Sequence, residues 1–289
     1  MSKAKDQQLM TNDLIQKKDL YASYEESDER MTWCSECGNY GIQKAVFRAL
    51  ALEGIEQDQC VIAYDVGCSG NESDKLGAYT IHGLHGRVLP LAEGIVLANP
   101  KLQVIAHAGD GATFSEGVNH LVHAVRNDYP ILFIHHHNGN YGLTVGQASA
   151  TTPRGQKLSA SPDGVIVDPI NTLQFVLSLN PTFVARSFSG DVEHMTQMIQ
   201  QGIAHRGFAF LEIAQACPTF QKQLTHEWYQ QHTQDVSGLE GYDSSDIWQA
   251  RKIVDSTDVI PTGIIYQRDV PNFIERLEHR REIETTLVE

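Results

Sequence analysis

Short apolar runs recur along the chain, separated by polar or glycine-rich stretches. Residues 60–66 (CVIAYDV), 102–108 (LQVIAHA), 131–135 (ILFIH), 182–187 (TFVARS) and 208–214 (FAFLEIA) have the length and character of buried strands. Between them the period changes. Residues 41–52 put Ile42, Val46, Ala49 and Leu50 on one side of a helix. Residues 87–98, with Pro90 in the first turn, 117–126 and 192–205 also read as helices. Strands alternating with helices predict an α/β fold, a mainly parallel sheet with helices on both faces. Residues 31–220 form that domain. Residues 1–30 show no apolar period and read as a loosely packed N-terminal extension. Residues 221–289 read as a more polar C-terminal extension that serves as an interface. Its apolar patch, 259–266, suits an edge strand or an interface segment.

Composition narrows the class. Of 289 residues, 41% are hydrophobic and 20% charged, enough for a substantial core. The formal net charge of −14 argues against nucleic acid or an anionic membrane as partner. No run of about 18 apolar residues occurs, and residues 1–30 lack the apolar segment of a secretory signal. The expectation is a cytoplasmic protein, where thiols stay reduced. Its five cysteines then point to metal or catalysis rather than disulfides.

Ligands of parallel α/β sheets sit at the carboxyl ends of strands. Three predicted strand ends carry unusual residues: Gly67-Cys68-Ser69, Gly109-Asp110-Gly111 and Asn138-Gly139-Asn140. Asp110 and Asn138, 28 residues apart, offer hard oxygen ligands of the kind Mg²⁺ takes when it neutralises a diphosphate. The glycines let backbone approach phosphate oxygens, and a following helix presents free N–H groups. Each fragment alone is more often a turn or a cap; the strand contexts and the spacing together favour a diphosphate site. Cys34 and Cys37 form a C-x-x-C pair, which alone fits zinc, a redox disulfide or an iron–sulfur cluster. No second close pair exists to complete a zinc site. Cys34, Cys37, Cys68 and Cys217 suit four thiolates converging on a cluster. Cys60 opens a strand and reads as core.

The order Gly-Asp-Gly, a helix, then Asn at a strand end resembles the thiamine-diphosphate motif. IHGLHGRVLPLAEGIVLANP, then GDG, then NGNYGLTVGQASATTP resembles the β subunit of the 2-oxoacid:ferredoxin oxidoreductases, from about residue 33 to 220. The resemblance implies a thiamine-diphosphate-binding fold. It implies Mg²⁺ on the Asp110 and Asn138 side chains and the Asn140 carbonyl, with Gly109, Gly111, Ala112, Gly142 and Leu143 around the diphosphate. It places His85 and the loop Gly67, Cys68 and Ser69 near the cofactor, His85 and Thr144 in catalytic roles, and a [4Fe–4S] cluster on the four cysteines. It further implies oxidative decarboxylation of a 2-oxoacid with coenzyme A and ferredoxin. The cofactor-activating glutamate would come from an α subunit that carries the pyrimidine domain, rather than from Glu116 or Glu212 here. Two departures stand out: Ala112 where relatives often have an acid, and Gly70-Asn71 where some have a basic residue, which leaves the choice of oxoacid open. Two other readings remain, a non-redox thiamine decarboxylase, which has no use for the cysteines, and an iron–sulfur carrier, which leaves Asp110 and Asn138 idle.

Other candidates weigh less. Along a strand, successive side chains point to opposite faces, so His135, His136 and His137 cannot all converge on one metal. One of them can line a site. Residues 141–144 and Gln147 are expected to close over cofactor or substrate.

Overall fold

The computed structural model describes residues 2–25, 31–255 and 259–288, with backbone alone over 2–13 and 281–288. The first elements are α1 (Ser2–Glu25), α2 (Asn39–Glu53), β1 (Cys60–Tyr64), β2 (Tyr79–His82), α3 (Val88–Ala98), β3 (Gln103–Gly109), α4 (Val118–Asn127) and β4 (Leu132–His137). Then follow α5 (Thr172–Ser178), β5 (Phe183–Phe188), α6 (Val192–Ala204), β6 (Ala209–Ala214), α7 (His226–His232), β7 (Thr233–Asp235), α8 (Ile247–Val254), β8 (Ile260–Gln267) and α9 (Phe273–Val288).

The eight strands form one sheet in the order β2-β1-β3-β4-β6-β5-β8-β7. Every neighbouring pair is parallel except β5 with β8. The period of two divides the side chains between two cores. Ala106, Phe133, Phe210 and Val184 face α3, α4, α5 and α8. Ile105, Ile134, Leu211 and Ala185 face α1, α2 and α6. Such strands are apolar on both faces because helices cover both, as the sequence predicted. Register matters here: Ile105 lies opposite Leu132 and Ala106 opposite Phe133, so the ends of β3 and β4 lie side by side.

Three features differ from expectation. The N-terminal stretch is helical through Glu25, and Tyr24 is fully buried, stacked on Phe47 of α2 at 5.6 Å. One aromatic anchor at the end of a polar helix leaves no period to read. The strand expected to end at 135 continues through His137, because its polar end is buried beside β6. Residues 259–266 do form a strand, but β7 covers its outer side, so β8 is not the edge.

Candidate active site at the carboxyl edge of the sheet

The loops after β1, β3, β4 and β6, four adjacent strands, meet at one edge. After β1 comes Asp65, fully buried. Its carboxylate accepts from the backbone N–H of Val66 (2.8 Å), Gly86 (2.9 Å), Arg87 (3.1 Å) and Val88 (3.2 Å). The last two are orphan donors at the start of α3, whose own N-cap offers no side-chain bond. Asp65 also lies 2.8 Å from His85 Nδ1 and so fixes the ring, which meets Tyr141 edge-on. Asp65 escaped the sequence reading because its partners lie about twenty residues on.

After β3, Asp110 is buried and splits its carboxylate. Oδ2 accepts from the N–H of Asn138 (2.9 Å) and Gly139 (2.7 Å), which fastens the loop after β4 to the end of β3. Oδ1 accepts no hydrogen bond and lies 3.2 Å from His135 Nε2, a fully buried ion-pair contact. Burial alone would raise this carboxyl's pKa; His137, His135 and the Asn138 N–H outweigh it and hold the group below its ordinary value. The Asn138 side chain donates to Gln215 Oε1 (2.9 Å) and accepts from Asn140 N–H (3.2 Å). Asn140 Nδ2 donates to the Asn138 carbonyl at 2.9 Å, and Asn140 Oδ1 is buried without a partner.

These groups surround a cavity of about 120 Å³. Gly67, Cys68, Ser69 and His85 line it from the β1 side, Gly109, Asp110, Gly111 and Ala112 from β3. Asn138, Asn140, Gly142, Leu143 and Thr144 line it from β4. Every residue the resemblance assigned to thiamine diphosphate or Mg²⁺ therefore meets in one place. His136 is the one of the three histidines that lines it, and Gln215, which the sequence did not single out, is there too. A Cβ on Gly111 would collide with the Tyr141 ring, so only glycine permits this closure. Thr144 and Gln147, expected to close over the site, bond to each other at 2.5 Å in an exposed loop. Larger cavities, about 760 and 880 Å³, lie elsewhere and hold none of this chemistry. Asn140 Oδ1 has no partner and Asp110 Oδ1 has only the His135 contact, and buried oxygens so poorly satisfied are costly unless something binds them. Oxygen donors beside glycine-rich backbone suit a hard cation and its phosphate.

Of the cysteines, Cys68 borders this cavity. None of the five is in a disulfide, and Cys60 is core as expected. Cys34 O accepts from Cys37 N–H at 3.1 Å, and the N–H of the next residue, Gly38, reaches Ala216 O at 3.1 Å. Trp33 Nε1 donates to Cys68 O at 2.6 Å, and Thr219 Oγ1 to Cys34 Sγ at 3.1 Å. These bonds gather three loops. Burial pushes the Cys37 thiol up to about 12 and Cys68 up to about 11, and the neighbouring cysteines add to both. Half-buried thiols that raise one another stay protonated unless a cation displaces the protons. Among the described residues, the only group close enough for a single ion is Asp110, His135 and His137. The four thiols do not form a group of that kind.

The three histidines separate as alternation requires, but two of them converge with Asp110, which the sequence reading set aside. His135 and His137 share a face. Fully buried Glu212 takes their Nδ1 atoms at 3.1 and 3.3 Å, together with Arg186 at 2.7 Å and Thr172. Burial works against a charge on His135, yet Asp110 and Glu212 push it up to about 9. This buried network stiffens Asp110 from below, on residues too far apart in sequence to be paired by eye.

Comparison with known proteins agrees with this geometry. Residues 65–213 match the family "Thiamine pyrophosphate enzyme, C-terminal TPP binding domain". Residues 217–282 match the family of the C-terminal part of the pyruvate ferredoxin oxidoreductase beta chain. A 2-oxoacid:ferredoxin oxidoreductase subunit beta from Sulfolobus is 37% identical over 259 residues, 85% of each chain. A 2-oxoglutarate synthase subunit KorB from Archaeoglobus fulgidus is 35% identical, covering 70% of this chain and 76% of its own. A solved 2-oxoglutarate:ferredoxin oxidoreductase from Magnetococcus marinus, with 2-oxoglutarate, coenzyme A and succinyl-CoA bound, superposes with TM-score 0.87 at 32% identity, over 92% of this chain and 90% of that one. The chain described here belongs to the family of 2-oxoacid:ferredoxin oxidoreductase β subunits.

Proposed function

We propose that this chain holds thiamine diphosphate, Mg²⁺ and a [4Fe–4S] cluster, and works with an α subunit to convert a 2-oxoacid and coenzyme A into acyl-CoA and CO₂. Two electrons leave singly through the cluster to ferredoxin. The observation that carries this reading is Cys68. It lines the same cavity as Asp110 and Asn140, and it belongs to the four-cysteine set. A Cβ on Gly142 would lie 3.2 Å from its Sγ, so the two cofactor regions share one wall.

Bound thiamine diphosphate supplies carbanion stabilisation for loss of CO₂, and the cluster supplies a one-electron acceptor nearby. The chain's own residues do the holding. Asp110, Asn138 and Asn140 would take the Mg²⁺; Gly109, Gly111, Ala112, Gly142 and Leu143 leave room for the diphosphate. His85, oriented by Asp65, presents its other ring nitrogen for proton or hydrogen-bond exchange with substrate, and Thr144 lies at the mouth. Among the residues lining the cavity Asp110 is the one carboxylate, and it is committed. The acid that activates the cofactor therefore has to come from the partner. Exposed Leu84 (78%), Val145 (66%) and Leu143 (47%) near this edge give such a partner an apolar surface. Among the described residues no helix is long and apolar enough to cross a membrane. Reduced thiols favour the cytoplasm.

The test is an assay of the anaerobic complex with a panel of 2-oxoacids. Reduction of ferredoxin that requires coenzyme A and the α subunit is the expected result. Decarboxylation that proceeds without any electron acceptor would instead support the non-redox reading.

A further inference from the structure

One buried side chain runs between the two cofactor regions. Gln215 is 2% exposed and stands two residues before Cys217. Its backbone N–H continues the sheet, donating to His137 O at 2.8 Å. Its amide oxygen accepts from Asn138 Nδ2 at 2.9 Å. Its amide nitrogen donates to Asn39 Oδ1 at 2.5 Å. Asn39 is 1% exposed, opens α2 and stands two residues after Cys37. Gly38 belongs to the arrangement, since a Cβ there would lie 2.7 Å from Gln215 Cγ.

The direction of each bond follows from the one obligatory donor, the Asn140 backbone N–H, which requires the Asn138 side-chain oxygen. The Asn138 amino group then faces Gln215, which meets it with its oxygen and donates its own amino group to Asn39 Oδ1. Asn39 Oδ1 also lies 3.0 Å from His136 Nδ1, while Asn39 Nδ2 is buried without a partner. Gln215 thus holds the Asn138 amide in this orientation from the side away from Asn140.

We propose that Gln215 is a positioning residue for both centres at once: it aims the Asn138 carbonyl at the metal–diphosphate site and ties the Cys37 and Cys217 segments together beside the cluster. The inference rests on the functional reading above. It deepens that reading by making the two cofactor regions share one support.

The experiment uses the cofactor-loaded complex with its α subunit. Gln215→Met keeps the volume and removes both bonds. Thiamine diphosphate affinity in Mg²⁺, by calorimetry, should fall about tenfold, in line with the loss of groups that orient metal ligands. The cluster's midpoint, followed by electron paramagnetic resonance in a redox titration, should shift as well. Gln215→Glu keeps an acceptor for Asn138 but cannot donate to Asn39 and adds negative charge, so it should lower the midpoint. A Gln215→Met complex matching wild type in either readout overturns the inference, as does an unchanged midpoint in Gln215→Glu. If Gln215→Met fails to assemble, Gln215→Glu decides alone. Failure of the underlying reading would show earlier and differently, as a wild-type complex that carries no cluster or no thiamine diphosphate.

Discussion

Asp110 lines the cavity and uses one oxygen to hold the loop after β4, while the other accepts no hydrogen bond and faces His135. Asp110→Ala should therefore weaken retention of thiamine diphosphate about 100-fold while the cluster's visible absorbance stays. Equilibrium dialysis and the absorbance spectrum read the two effects separately. Cys217→Ser should do the reverse, losing iron and keeping the organic cofactor. If both variants lose both cofactors, the separation of the two sites fails; Gln215 is where coupling between them is expected. A third residue bears on stability. Glu72 is buried, and desolvation pushes its carboxyl up to about 8, against hydrogen bonds from Tyr64 and Gln43 that lower it. The folded state then binds a proton that the unfolded chain releases near the ordinary carboxylate range. Stability from this group is present at low pH and lost between about pH 5 and pH 8. Denaturant midpoints of wild type should fall relative to Glu72→Gln across that window; parallel curves would refute it. At this scale the sequence shows residues that sit in motifs, such as Asp110, Asn138 and the cysteines. It hides Asp65, Glu212 and Gln215, whose roles come from partners far along the chain.

Elements were readable where burial is two-sided. The runs at 60–66, 102–108 and 208–214 became β1, β3 and β6 because strands covered on both faces must be apolar throughout. Exposed or very short pieces gave no such signal. β2 has four residues and is mostly exposed, β7 has three, and α5 has seven. α1 is the largest surprise, since its described contacts with the body centre on Tyr21 and Tyr24. Tyr24 stacks on Phe47 and donates its hydroxyl to Ile55 O at 2.9 Å. Tyr24→Ala should cost about 3 kcal/mol, the range for emptying a buried aromatic site. Urea unfolding measures it; a loss below about 1 kcal/mol would mean that α1 adds little to the core.

For the molecule as a whole, the topology does the functional work. Four neighbouring strands end together, so residues from 34 to 217 contribute to one edge, with the long segment 138–171 after β4 supplying part of its wall. The family and its fold were legible because the motif residues occupy those strand ends. Membership of the β-subunit family implies an α partner, and exposed Leu84, Leu143 and Val145 lie near the site. The net charge of −14 also sets a condition, because ferredoxin docking has to rely on local rather than overall attraction if that carrier is acidic.

The most direct measurement is cofactor content of the complex purified without oxygen. The expected content is about four irons, about four acid-labile sulfides and about one thiamine diphosphate for each copy of this chain. Thiamine diphosphate without labile sulfide, or iron and sulfide without thiamine diphosphate, would contradict it.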